Sequence, residues 1–199
     1  MKRENTKKGI LLFLLKDFLN RHTVTSIADA IGVSRVGAWK SLKEMKSEKL
    51  VTLSPAGTGK TSTFTVALNW DNVLTQKNIE TCLIEEALEN QRWRSNFELL
   101  GQKVLFLIIY GSILHSPREA NDIDIMCVVA RKSAFKDVEK VLNNLQKTQL
   151  KHMHSLNFTE DEFRSELRKQ NPVFIDAIRK GVVLFGQESF ISFMKGVVK

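Results

Sequence analysis

Six apolar residues, Val104 to Ile109, stop abruptly at Tyr110-Gly111-Ser112. A short apolar run bounded by a turn signal reads as a buried strand. Nine residues follow (113–121), and a second strand pattern then opens with Asp122-Ile123-Asp124-Ile125 and continues through Cys127, Val128 and Val129. Strand alternation puts Asp122 and Asp124 on one face, about 7 Å apart along the strand. Two carboxylates at the head of an otherwise apolar strand are costly unless solvent or a cation meets them. Hard divalent cations such as Mg²⁺ take oxygen ligands, which paired aspartates supply.

The rest of the chain limits what can surround this segment. At 199 residues, 43% hydrophobic and 26% charged, the chain can build one large or two small domains. That composition excludes collagen, low-complexity disorder and a disulfide-dense scaffold. The apolar run at 104–109 is far too short for a bilayer. Residues 10–15 (ILLFLL) follow lysines but lead into Lys16 and Asp17 with no small-residue cleavage site, so no signal peptide and no membrane partner are expected. Cys82 and Cys127 lie far apart without a CxxC pattern, which suits a reducing, cytoplasmic setting.

Charge is unevenly spread. Residues 1–70 hold 12 Lys and Arg against 5 Asp and Glu, or +7 of the total +8; residues 71–199 are nearly balanced. A basic segment beside a neutral one suggests a nucleic-acid-facing module joined to a different one. Within it, residues 7–20 form an amphipathic helix with Ile10, Phe13, Leu14 and Phe18 on one stripe. Thr25 or Ser26 caps a short helix, Ser26 to Ile31, that ends at Gly32; Ser34 caps a longer helix to about Lys49. Ala28, four residues before Gly32, allows close helix approach. Val36, Trp39, Leu42 and Met45 give the longer helix an apolar stripe, and Arg35, Lys40, Lys43 and Lys46 lie on its other face.

Two β-branched flanks around PAGTGK then predict a hairpin. Over about residues 7–68 this order of elements resembles a winged helix–turn–helix domain. The resemblance implies double-stranded DNA as partner, with Arg35, Lys40 and Lys43 on the groove-facing helix and Lys60 on the wing. Ser54 to Thr61 (SPAGTGKT) imitates a phosphate-binding loop. The motif's first glycine is Ser54 here, and an alternating strand, not a helix, follows.

Residues 72–99 read as helical, with Ile79, Leu83, Leu88 and Phe97 among charged residues. They are expected to connect the domains and to support a homodimer. The organisation read from the chain is a domain at 1–70, a helical connector at 71–99 and a second domain at 100–199.

Gly111-Ser112, nine residues, then Asp122-x-Asp124 resembles the signature of the minimal nucleotidyltransferases of the DNA polymerase beta-like superfamily. The likeness covers about residues 98–190, including a tail (158–186) similar to the family's closing helix, second short helix and final strand. The two resemblances together imply an α+β chain: a winged helix with three helices and a hairpin wing, then an α/β domain with a mixed sheet. The second also implies nucleotidyl transfer from a nucleoside triphosphate such as ATP, with Mg²⁺ or Mn²⁺ held by Asp122 and Asp124 and phosphates seated on Gly111 and Ser112. The acceptor would be a hydroxyl, on a protein or a small molecule. Active relatives carry a third carboxylate on the next strand, here about 151–158. His154 takes that position, as metal ligand, as general base or as an ordinary exposed histidine. The family's Ala-Arg-Gly after Gly-Ser is Ile113-Leu114-His115. Two classes of function follow: a nucleotidyltransferase coupled to DNA binding, and a DNA-binding regulator whose degenerate second domain senses nucleotide. A zinc site at His152 and His154 and a serine hydrolase at Ser112, which lacks an evident His/Asp partner, rank below both.

Overall fold

Helix α1 (Lys2–Lys16) opens the chain. Periodicity alone places it at residues 7–20, but Asp17 and Asn20 end it early. The Asn20 amide donates to both Asp17 carboxylate oxygens at 3.0 and 3.1 Å, building a polar turn in place of the last helical turn. The two-residue strand β1 (His22–Thr23) leads directly into α2 (Val24–Ala30). The cap is Thr23, not Thr25 or Ser26: Thr23 Oγ1 accepts from the Ser26 amide at 3.2 Å while Ser26 Oγ accepts from the Thr23 amide at 2.8 Å. This reciprocal box satisfies two free N–H groups at once, which neither later residue does. Gly32, at φ +67°, turns the chain as expected.

Ser34 caps α3 (Arg35–Ser47), its hydroxyl accepting from the Gly37 amide at 3.1 Å. Its buried stripe is Ala38, Ser41, Leu42 and Met45. Val36, expected inside, is 64% exposed. It precedes Ala38 by two residues, about 200° around the helix from the buried side. Trp39 is half-buried against Phe64, with ring centroids 5.6 Å apart. Strands β2 (Val51–Pro55) and β3 (Phe64–Leu68) pair antiparallel, and β1 adds to the free edge of β3, giving the order β1-β3-β2.

The computed structural model describes residues 2–56 and 63–198, without the side chains of Lys2 and Arg3. Lys60 and most of the glycine-rich stretch lie outside the described residues. A strand follows that stretch, in keeping with the hairpin reading.

Helix α4 (Val73–Glu89) buries Ile79 and Leu83 and leaves Leu88 46% exposed. The chain forms two units, Met1–Cys82 and Leu83–Lys199, so their boundary lies within α4. The second unit continues with α5 (Gln91–Asn96) and α6 (Glu98–Gly101), then strand β4 (Phe106–Tyr110) and a single 3₁₀ turn, Ser112–Leu114. Strand β5 (Asp122–Val129), α7 (Phe135–Gln146) and β6 (His152–Thr159) follow. The chain closes with α8 (Glu160–Arg168), α9 (Pro172–Lys180), β7 (Val182–Phe185) and α10 (Gln187–Val198).

The four strands run in the order β6-β5-β4-β7, with β5 and β6 parallel and the other pairs antiparallel. A parallel pair needs a long crossover, and α7, with Phe135, Val138, Val141, Leu142 and Leu145 at helical spacing, supplies it. The fold is therefore α+β with one antiparallel and one mixed sheet. Alternation assigns the faces of the mixed sheet. Leu107, Ile109, Ile123, Ile125, Cys127, Val129 and Met153 join a core with Trp93, Phe97 and Val138. On the opposite face Phe106 meets Phe163, Phe190 and Phe193, with ring centroids 5.4 to 5.8 Å apart. Both cysteines are buried and neither is in a disulfide, and among the described residues no helix is long and apolar enough to cross a membrane.

Candidate functional site

The two faces of β5 carry different chemistry. Its odd-numbered residues enter the core, so Asp122 and Asp124 project to the other face with Met126 and Val128. Strand β6 runs parallel beside it in a register that sets Asp122 opposite His152 and Asp124 opposite His154. On β4, Tyr110 pairs with Asp124 and shares the face of Phe106. One sheet face thus gathers Tyr110, Asp122, Asp124, His152 and His154 at the start of β5. Aromatic side chains of the closing helices cover that face further along; here it stays half-open.

His154 Nδ1 lies 3.2 Å from Asp122 Oδ2 and 3.6 Å from Asp124 Oδ1. One ligand atom from each of the three residues fits within a 4.8 Å span. An ion with bonds of about 2.1 Å spaces neighbouring ligand atoms roughly 3.0 Å apart in octahedral and 3.4 Å in tetrahedral geometry. At 3.2 and 3.6 Å the imidazole–carboxylate separations lie within and just above that range, compatible with a single cation. The His154 side chain is 54% exposed, leaving room for water or substrate on the open side.

Burial, with crowded negative charge added at the carboxylates, sets the electrostatics here. Partial burial raises the Asp124 carboxyl above its usual range, repulsion from Asp122 adds to this, and His154 opposes it. Burial pushes the Tyr110 phenol up to about 12, helped by Asp124 and Asp122, so it stays protonated at neutral pH. Burial likewise pushes the Cys127 thiol up to about 12, which removes it as a nucleophile.

The Gly111-Ser112 turn sits against this cluster. Gly111 has φ 84° and ψ −166°, a region essentially reserved for glycine. Ser112 is exposed, and its carbonyl accepts from the Ser116 amide at 2.8 Å. Lys151 holds the end of the linking loop, its ammonium donating to the carbonyls of Arg118 and Ala120. Gln146 then sets the start of β6: its amide donates to the Lys151 carbonyl at 3.1 Å and its oxygen accepts from the Met153 amide at 2.8 Å. A cleft of about 390 Å³, lined by Arg92 and Ser116 to Glu119, opens along this loop and not over the carboxylates.

In the first unit, Arg35, Lys40 and Lys43 are exposed on α3, and Lys46 continues the row. Lys43 Nζ lies 5.2 Å from the Trp39 ring centroid, a cation–π contact that directs its ammonium along the helix surface.

The structure brings Asp122, Asp124 and His154 together beside Gly111. His152 packs edge-on against His154, with centroids 4.7 Å apart, and does not belong to the three-donor cluster. Tyr110 is the member of this face that sequence motifs miss, although alternation from Phe106 and its being the chain's single tyrosine are signals that could single it out. The roles of Gln146 and Lys151 have no sequence signal, because they depend on how the loops return.

No protein-family model, curated protein or solved structure matches this chain.

Proposed function

We propose that the protein is a divalent-cation-dependent nucleotidyltransferase with an N-terminal winged helix–turn–helix that binds double-stranded DNA. The observation that carries the reading is the convergence of Asp122, Asp124 and His154 within 4.8 Å, on adjacent strands beside the Gly111 turn. Nucleotidyl transfer moves a nucleoside monophosphate from a triphosphate to an acceptor hydroxyl and releases pyrophosphate. A cation at such a site neutralises charge that builds on the phosphoryl oxygens. Asp122 and Asp124 would hold Mg²⁺ or Mn²⁺, and the open positive-φ turn at Gly111 lets the backbone amides and the Ser112 hydroxyl approach the phosphates.

Support for the DNA-binding part comes from the capped α2–turn–α3 pair, the antiparallel β2–β3 pair after it with β1 on its edge, and the exposed basic row on α3. Cytoplasmic location, homodimer formation and a protein or small-molecule acceptor belong to the same proposal.

Label transfer from α-³²P-labelled nucleoside triphosphates tests the reading, in the presence of Mg²⁺ or Mn²⁺, with the protein itself and candidate hydroxyl acceptors. Incorporation that disappears in Asp122→Asn/Asp124→Asn supports it. A second reading, a DNA-binding nucleotide sensor, draws on the imidazole at the position where the resemblance expects a third carboxylate. Cation-dependent nucleotide binding with no transfer to any acceptor would favour it.

A further inference from the structure

We infer that the Asp122–Asp124–His154 cluster selects a first-row transition-metal dication, such as Mn²⁺, Co²⁺ or Zn²⁺, over Mg²⁺, and that His154 sets this preference. The inference rests on reading the cluster as a metal site and names the class of cation it takes.

The donor set carries the argument. Two carboxylate oxygens and one imidazole nitrogen form an O₂N set. Mg²⁺ favours oxygen ligands in near-octahedral geometry and keeps its waters, so a nitrogen donor gains it little. Transition dications bind imidazole well, with affinity rising from Mn²⁺ toward the later metals. Nδ1 is the ring nitrogen that faces both carboxylates, at 3.2 and 3.6 Å. The parallel register fixes His154 opposite Asp124, and the edge-on ring of His152 limits how far the His154 ring can rotate. Three protein donors on a half-open face leave coordination positions for water or substrate, as catalytic sites do.

A competing explanation uses the same distances. His154 could be a fixed counter-ion that neutralises the carboxylates and occupies the place of a metal. The two explanations predict opposite effects of removing the ring. Loss of a ligand weakens transition-metal binding. Loss of a counter-ion leaves two like charges uncompensated and strengthens binding of every dication.

The test is metal binding alone, without nucleotide, on the full chain stripped with chelator. Calorimetric titrations with Mg²⁺, Mn²⁺ and Co²⁺ give the affinities, and the visible absorption of bound Co²⁺ reports nitrogen ligation. Cys82 and Cys127 are buried, so thiolate bands should be absent. Wild type is expected to bind Co²⁺ at least about tenfold tighter than Mg²⁺. His154→Ala removes a direct ligand and should weaken Co²⁺ by at least the roughly 10- to 100-fold that losing a ligand's hydrogen-bond partner costs, and leave Mg²⁺ nearly unchanged. His154→Asp, an all-oxygen set, should restore Mg²⁺ preference. Circular dichroism should show both variants folded, since the side chain is exposed.

Equal affinity of wild type for Mg²⁺ and Co²⁺, or Co²⁺ binding unchanged or tightened in His154→Ala, overturns the inference and leaves the metal-site reading standing. If wild type binds none of the three dications, both fall. Because no nucleotide is present, absence of transfer activity affects neither result.

Discussion

Gly111 and Asp124 are in contact across the β4–β5 pair: a Cβ added at residue 111 would stand 2.5 Å from Asp124 Oδ2. The glycine is therefore required twice, once by its backbone conformation and once by the carboxylate beside it. Gly111→Ala should cost about 1–3 kcal/mol of stability from the disallowed backbone region. It should also displace the Asp124 carboxylate. Thermal unfolding and metal titration together check this. A variant that melts only a few degrees lower but has lost cation binding is the expected outcome; full retention of binding would show that the added methyl does not displace the Asp124 carboxylate.

Partial burial of the Asp124 carboxyl, with repulsion from Asp122 added, predicts a pH signature. The folded-state pKa of Asp124 is raised, so the folded protein binds its proton more readily than the unfolded chain. The resulting destabilisation is fully present above the folded pKa and disappears as pH falls toward the unfolded value of 3.8. Without metal, Asp124→Asn should melt higher than wild type at neutral pH, and the gap should close as pH falls through that window. A gap independent of pH would mean that the carboxylate's charge is not what destabilises the metal-free fold.

Much of this site is legible in the amino-acid sequence. The strand alternation that puts Asp122 and Asp124 on one face is a property of eight consecutive residues, and the Gly-Ser break is equally local. The placement of His154 depends on a third strand, and the parallel register of β5 and β6 sets that residue opposite Asp124. Helix boundaries are less legible. Thr23 outcompetes Thr25 and Ser26 as cap because Ser26 completes its box, a relationship between two side chains that periodicity does not show. Val36 is apolar and so reads as part of the buried stripe, although its angle on α3 faces solvent. Gln146 and Lys151 seat the strand and loop around the site through backbone groups that only the folded chain brings to them.

Helix α8 offers a stability test away from the site. Thr159 and Glu162 form a reciprocal cap, the Glu162 carboxylate accepting from the Thr159 amide and hydroxyl, both at 2.9 Å. The first of these bonds, with help from Lys132, holds the Glu162 carboxyl down at about 2. A depressed carboxyl stabilises the fold above its unfolded value of 4.5, and that contribution is lost as pH falls from there toward about 2. Thr159→Ala should cost about 1 kcal/mol in denaturant unfolding at neutral pH. Glu162→Gln should flatten the stability decline on the acid side; an unchanged profile would mean the cap carries no charge-dependent stability.

The basic face of α3 gives the last prediction. Arg35, Lys40 and Lys43 are exposed, and the buried residues on the same helix (Ala38, Leu42, Met45) fix which side faces out. If that side meets duplex DNA, binding should weaken steeply with salt, because each neutralised phosphate releases counterions. Arg35→Ala/Lys40→Ala should lower affinity and reduce the slope of log affinity against log salt by about 0.9 for each phosphate no longer neutralised. Neither side chain lies among the buried residues, so the melting temperature should hardly change. Fluorescence anisotropy with a random-sequence duplex at several salt concentrations measures both quantities. A slope that is unchanged while affinity falls would point to recognition of base edges in place of phosphates. Unchanged affinity and slope in the double variant would remove this face of α3 from the DNA interface altogether.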